Sequence, residues 1–390
     1  MGKNFSLSQD LLDRCHERAP GYDRDNRFAQ EDFDELKEAG YLLMAVPEDL
    51  GGHGMSLAEI ALETRKLAYY APATALAANM HHYWVGVAAD LRRSGDNSLE
   101  WILKEAADGE VFAAGHSESG NTVPVLMSTT QAERVDGGYK FTGRKGFGSL
   151  GPVWTRYGLH GLDASDPSAP KIVHAFMPRD TEGYSIKETW DVMGMRATRS
   201  DDTVLEGAFV PDRYIARVVP AGAAGMDAFV VSIFAWALVN FANVYCGIAN
   251  RAWDLTLKSV QGKEALGMTR TMAYHPEIQH GIAEMALELE AIRPHIEAVA
   301  QGWSDATEHG PEWGFKVIAA KYRAVEGAWK IVDTAMDLSG GFGMFRKNEL
   351  ERLFRDARAG RFHPTNSSLT HELLAKMALG ISPDEQPRWG

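Results

Sequence analysis

The stretch RDARAGRFHPTNSSLTHE, residues 355–372, sets a histidine beside a proline, His363-Pro364, between two segments that read as helices. Proline fixes its own φ and lacks a backbone N–H, so it stiffens such a turn and can hold the imidazole in one place. A histidine held there is either a loop residue or the working group of an active site, since a neutral imidazole titrating near pH 6–7 can give or take a proton. A second pair, His81-His82, is followed by Tyr83-Trp84; taken by itself it reads as one buried and one surface ring. Gly340, Gly341 and Gly343 expose backbone N–H groups in a turn that can cradle a pyrophosphate, whereas a plain helix C-cap needs one glycine. Trp236, Phe241 and Tyr245 fall at roughly helical spacing and read as core or cavity wall, while His275, His280 and His371 read as structural. Cys15 and Cys246 lie far apart, with no CxxC and no nearby His/Cys set, so neither a disulfide framework nor a zinc site is expected.

The elements that must position these groups change twice along the chain. Up to about Phe112 the pattern is helical: EDFDELKEAGYLL has Phe33, Leu36 and Ala39 on one face, and SLAEIALETRKLAYY opens on a Ser56/Glu59 capping box. From Ala113 to Ala224, Gly, Pro, Thr and Val alternate in short runs, and VDGGYKF predicts a hairpin around Gly137-Gly138. DASDPSAPK, residues 163–171, reads as a loop between two strands. After Gly225 come long helices, the first very apolar, as in a bundle whose faces bury one another or a partner. The expected fold class is α+β, with an N-terminal helical bundle over 1–112, a middle β-sandwich or barrel over 113–224 and a C-terminal four-helix bundle over 225–390.

Composition narrows the function classes. With 45% apolar and 24% charged residues in 390, the chain reads as a soluble globular protein. A formal charge of −13 argues against a nucleic-acid groove or an anionic membrane as the main partner, because both select clustered Lys and Arg. No apolar run of about 20 residues is uninterrupted. The first residues lack an apolar signal-peptide core, and Gly2 with Ser6 meets only a loose acylation pattern. A cytoplasmic setting is expected.

Five motifs in order carry a resemblance. VPEDLGGHGMSLAE (46–59), AAGHSESGN (113–121), GYKFTGRKGFGSLG (138–151), VMGMRATRSDDTVLEGAFVP (192–211) and SGGFGMFRKNELERLFRDAR (339–358) are similar to signatures of the acyl-CoA dehydrogenase superfamily. The resemblance implies FAD held between the middle domain and the C-terminal helices. Phe147 and Ser149, two apart on an expected strand, and Ser117 would then face the flavin; otherwise Phe147 is core and the serines solvate turns. It also implies that Gly340, Gly341 and Gly343 approach the FAD of a neighbouring subunit, that Arg270 pairs with pyrophosphate or is a surface arginine, and that Asn366 stands in a cofactor-binding threonine's place. His81, His82 and Trp236 would border the substrate cavity.

One feature of the family is missing. Its usual glutamate base, eight residues after the Asp of Arg-Asp-x-Arg, is replaced by Pro364, and the alternative site on the first long C-terminal helix falls near Ala237. The resemblance implies an FAD-dependent oxidoreductase acting on the CH–CH group of an acyl-CoA or similar thioester with a non-standard base, passing electrons to an electron-transfer flavoprotein. The two-component monooxygenases of the same fold are the alternative: these take reduced FMN or FADH2 from a flavin reductase, bind O2 as a C4a-hydroperoxide, and place a serine like Ser149 and a histidine like His363 beside it. A non-catalytic flavin-binding homologue is the third reading. The family commonly assembles as a homotetramer or homodimer.

Overall fold

A computed structural model describes residues 5–385; Gly2 of the acylation pattern lies outside them. Five helices come first, α1 (Gln9–Asp25), α2 (Gln30–Glu38), α3 (Leu57–Tyr70), α4 (Pro72–Arg93) and α5 (Glu100–Ala107). Their starts are set by local chemistry. The Ser8 hydroxyl accepts from the Leu11 N–H, Ser56 and Glu59 form the full capping box, and Pro72 opens α4 where its missing N–H is not needed.

Eight strands follow: β1 (Phe112–Gly115), β2 (Gln131–Val135), β3 (Gly138–Lys145), β4 (Arg156–Asp163), β5 (Lys171–Pro178), β6 (Tyr184–Lys187), β7 (Asp202–Pro211) and β8 (Ile215–Pro220). They form one hydrogen-bonded sheet in the order β6-β7-β3-β2-β4-β5-β8, with β1 parallel to β4. The β2–β3 hairpin turns on Asp136-Gly137, one residue earlier than the sequence suggests, with Val135 opposite Gly138. Residues 163–171 link β4 to β5, as expected.

The last five helices are α6 (Ala228–Gly262), α7 (Pro276–Ser304), α8 (Glu312–Ser339), α9 (Glu349–Ala359) and α10 (Ser367–Leu379). α6 is the spine, packed by α3, α4, α7, α8 and α9. It is long and apolar enough to cross a membrane, yet 83% of its most apolar window is buried within the protein. Helix α4 approaches it closely: a Cβ on Gly86 would stand 2.3 Å from the Trp236 ring, so only glycine lets the indole lie there. The Trp236 N–H then donates to Asp90 Oδ2 at 2.6 Å.

Candidate active site

Where α4, the sheet, α6 and the α9–α10 turn meet, a cavity of about 300 Å³ opens. Its wall on α4 is Leu76, Met80 and Tyr83, one helical face; on α6 it is Ile233, Phe234, Ala237, Leu238 and Phe241. Among the described residues, no Asp, Glu, Lys or Arg lines it. Both positions where a carboxylate base was sought, Ala237 and Pro364, open onto it.

His363 lies in the turn after α9, its imidazole fixed from three sides. The ring stacks on Phe241 with centroids 4.6 Å apart and planes 21° apart. Tyr245, fully buried on α6, meets Nε2 with its hydroxyl at 2.7 Å. That phenol has no other partner among the described residues, and a buried O–H must donate, so Tyr245 donates to Nε2 and His363 carries its proton on Nδ1. The Lys321 ammonium on α8 donates to the main-chain oxygens of His363 and Thr365 at 2.9 and 2.8 Å. Burial, and then the Lys321 charge, push the imidazole down to about 3. The sequence-based expectation of titration near pH 6–7 is thereby corrected. At neutral pH His363 is an uncharged N–H donor, a poor base for a carbon acid.

Across the cavity the chain leaves the sheet at Lys145, so Phe147 and Ser149 are not on a strand as expected. Phe147 takes φ +54°, stays 59% exposed and meets Trp190 edge-on, with centroids 5.7 Å apart. Beside it runs a chain of hydroxyls. Thr198 donates to the Met195 carbonyl at 2.9 Å, and Ser200 lies 2.7 Å from both Thr198 and Ser149. A carbonyl only accepts, so the direction propagates: Ser200 donates to Thr198, and Ser149 donates to Ser200. Ser149 is left to offer lone pairs. Ser117 also lines the cavity, and its carbonyl accepts from the Gly146 N–H at 2.9 Å.

Behind Ser117 lies a buried ion pair, Lys145 Nζ to Glu118 Oε1 at 2.5 Å, both side chains wholly inaccessible. Burial alone would raise Glu118; the lysine, with hydrogen bonds from Thr130 and Thr129, holds it at about 2. Burial lowers Lys145 to about 8 against the pull of Glu118. The α9 motif does related work at the opposite rim. Asp356 accepts from the Met195 N–H at 2.5 Å, and Arg355 pairs with Asp23 and the Met193 carbonyl. Gly194 passes so close that a Cβ would lie 2.3 Å from the Arg355 oxygen.

The structure thus brings Ser117, Phe147, Ser149 and His363 to one cavity. His81, His82 and Trp236 do not border it, which corrects the expectation. Helix rotation explains this: Met80 and Tyr83 take the cavity face, while His81 turns away to bind Leu42 O and Phe112 N and His82 packs on Tyr41. Trp236 is drawn onto Gly86 and Asp90, leaving Ala237 at the wall. Arg270 stacks over Tyr274 and does not line the cavity. Gly340, Gly341 and Gly343 lie in a turn away from it, and Asn366 caps α10 through Leu369. Sequence reasoning missed His116, bonded to the Tyr83 hydroxyl at 2.9 Å and facing the cavity, and Lys321. Lys321 carried a usable signal, for it falls on the stripe Val317, Ala324, Ala328 and so had to be buried.

Residues 9–110 match the model of the acyl-CoA dehydrogenase N-terminal domain and residues 239–368 that of the C-terminal domain. The amino sugar nitrososynthase DnmZ of Streptomyces peucetius is 30% identical over 89% of this chain and 86% of its own length. The chain belongs to the acyl-CoA dehydrogenase superfamily. The candidate acyl-CoA dehydrogenase YdbM of Bacillus subtilis (strain 168) is 27% identical over 94% of both chains. The solved structure of KijD3 in complex with FMN and dTDP-3-amino-2,3,6-trideoxy-4-keto-3-methyl-D-glucose matches with a TM-score of 0.84 and 25% identity, over 97% of this chain and 93% of that one. As a superfamily member the protein is a flavin-dependent enzyme. The cavity fits a flavin ring: a planar heteroaromatic can lie against exposed Phe147 and half-buried Trp190, with Ser117 and Ser149 at its rim, in a volume at the low end of small-molecule sites.

Proposed function

We propose that this superfamily member is a flavin-dependent monooxygenase acting on a largely apolar small molecule whose amine nitrogen, bound in its unprotonated form, is the favoured site of oxygenation. The observation that carries this reading is the wall at Ala237 and Pro364, where the dehydrogenase reaction needs a carboxylate and the cavity has none. His363 does not replace it, because a donor whose conjugate acid is as strong as about pH 3 cannot usefully take a carbon-bound proton. The kinship with an amino sugar nitrososynthase supports nitrogen as the acceptor.

In the proposed reaction one atom of O2 enters the substrate and the other leaves as water. A bound reduced flavin supplies the two electrons. The chain's own groups orient and shield. His363 holds a proton at Nδ1 toward the reacting centre, Ser149 accepts a hydrogen bond from the opposite rim, and Leu76, Met80, Ile233 and Phe241 exclude water. We further propose that reduced FMN or FAD comes from a separate reductase. A cytoplasmic setting and assembly as a homotetramer or homodimer belong to the same proposal, supported by two free cysteines and by exposed Phe342, Met344 and Phe345.

Anaerobic mixing of the FAD-loaded protein with butyryl-CoA or octanoyl-CoA tests the reading. The flavin is expected to stay yellow, while reduced flavin, labelled O2 and a panel of primary alkyl amines and amino sugars are expected to give product carrying one labelled oxygen. Bleaching by an acyl-CoA, with no label in any product, overturns the proposal.

A further inference from the structure

Lys321 stands on α8, far along the chain from the turn it serves, and is 2% exposed. An ammonium this deep normally has a carboxylate partner. Lys321 makes no ion pair among the described residues: Glu326, which favours its charged form, is itself bound by Arg361. Its hydrogen bonds go to two main-chain oxygens, those of His363 and Thr365, which bracket Pro364. Neither oxygen belongs to a regular helix or strand; without Lys321 the His363 oxygen loses its partner, and the Thr365 oxygen keeps only the longer bond from the Thr370 hydroxyl at 3.3 Å.

We propose that Lys321 is the positioning residue for His363, its ammonium clasping the turn on both sides of Pro364 so that Nδ1–H is held toward the cavity and Nε2 against Tyr245. This rests on the reading of His363 as the cavity's donor. The clasp explains why a charge is kept in an apolar core. Two carbonyl dipoles converge on one point, which a methylene chain alone cannot satisfy; burial lowers the lysine to about 7, so the clasp carries its full charge below that pH, and above it the amine still has two N–H donors for the two oxygens. The charge has a second effect, for as a neighbour of like sign it opposes the imidazolium. The groups facing the pair are Tyr245 from α6, Glu326 from α8, Asp356 from α9 and Arg361 from the turn itself. None is a free carboxylate beside the ring.

The test uses the full chain labelled with 15N-histidine, with His363 assigned by comparison with His363→Gln. In the wild type at pH 7, with or without FMN, His363 is expected to show one protonated Nδ1 and one hydrogen-bonded, unprotonated Nε2. Lys321→Met is expected to average the two nitrogen signals and to lower kcat about tenfold or more with KM changed less than threefold. Lys321→Arg, which keeps charge and donors, is expected to restore the wild-type pattern. If Lys321→Met does not fold, Lys321→Arg and Lys321→Gln are compared in its place, and the same tautomer difference is expected. A folded, uncharged variant with an unchanged His363 spectrum overturns the proposal. Because the spectrum is read without turnover, this failure is distinct from failure of the monooxygenase reading.

Discussion

A single ring carries the chemistry assigned to the α9–α10 turn, and its environment defines what it can do. His363 is stacked, bonded and backed by a buried cation, which makes it a fixed donor that does not titrate in the working range. Replacing it separates donation from shape. His363→Phe keeps the stack on Phe241 but removes the N–H, and kcat/KM is expected to fall by about 10²-fold, as when one preorganised donor is lost. It also strands the Tyr245 hydroxyl, costing about 1–3 kcal/mol of stability. His363→Asn returns an N–H near Nδ1 and is expected to recover part of the rate. Steady-state kinetics alongside thermal denaturation would show it; equal rates for the two variants would remove His363 from the reaction. Such a role was only half legible in the sequence. The His-Pro pair marked the place, but the tautomer and the depressed titration come from Tyr245 and Lys321, which are remote in the chain; the stripe that marks Lys321 as buried does not say which turn it meets.

At the scale of elements, the cavity's floor depends on how β3 is tied to the loop before β2. The Lys145–Glu118 pair does this, with Glu118 also accepting from Ser128, Thr129 and Thr130. Lys145→Met leaves a buried carboxylate without its cation and is expected to destabilise the fold by about 3–5 kcal/mol. Adding Glu118→Gln should return part of that loss, since an amide needs no counter-charge. Urea unfolding of the single and double variants measures both, and a double variant no more stable than Lys145→Met would show that the charges do not act as a pair. Helix starts and the hairpin were readable here because caps and turn glycines act within a few residues. Rotation of a helix about its axis was not: Trp236 and His81 were placed at the wrong wall because the contact of Gly86 with Trp236, between segments distant in sequence, decides which face of each helix looks inward.

For the molecule as a whole, the buried titratable groups set an acid limit. His81, His174 and His363 are pushed down by burial to about 4, 3 and 3, and His82, His116 and His160 well below the usual imidazole range. Each binds a proton more readily when unfolded, so stability is full above about pH 6.5 and is lost as pH falls. Glu118 acts in the same direction below about 4.5. Asp32 and Asp356, raised by burial to about 6, act oppositely, favouring the fold as they gain protons. Six histidines outweigh two aspartates. The urea midpoint is therefore expected to fall steadily from about pH 6.5 to pH 4.5; a midpoint that held or rose would mean that these imidazoles are hydrated in solution. The order of helices, strands and helices was legible because periodicity and turn residues are written locally, whereas depth of burial is a property of the assembled core.

The cavity wall without formal charge has a consequence for the company the enzyme keeps. On the proposed reading, recognition there rests on shape and on two oppositely directed dipoles, the His363 N–H and the Ser149 lone pairs, with no ion to be screened. Counterions in the medium therefore have nothing at the wall to compete for, and a neutral substrate is held as firmly in brine as in dilute buffer. Ionic strength acts instead on whatever docks at the acidic exterior of a chain with net charge −13. Under the proposed monooxygenase reading, salt thus distinguishes the delivery of electrons from the grip on the molecule that receives oxygen.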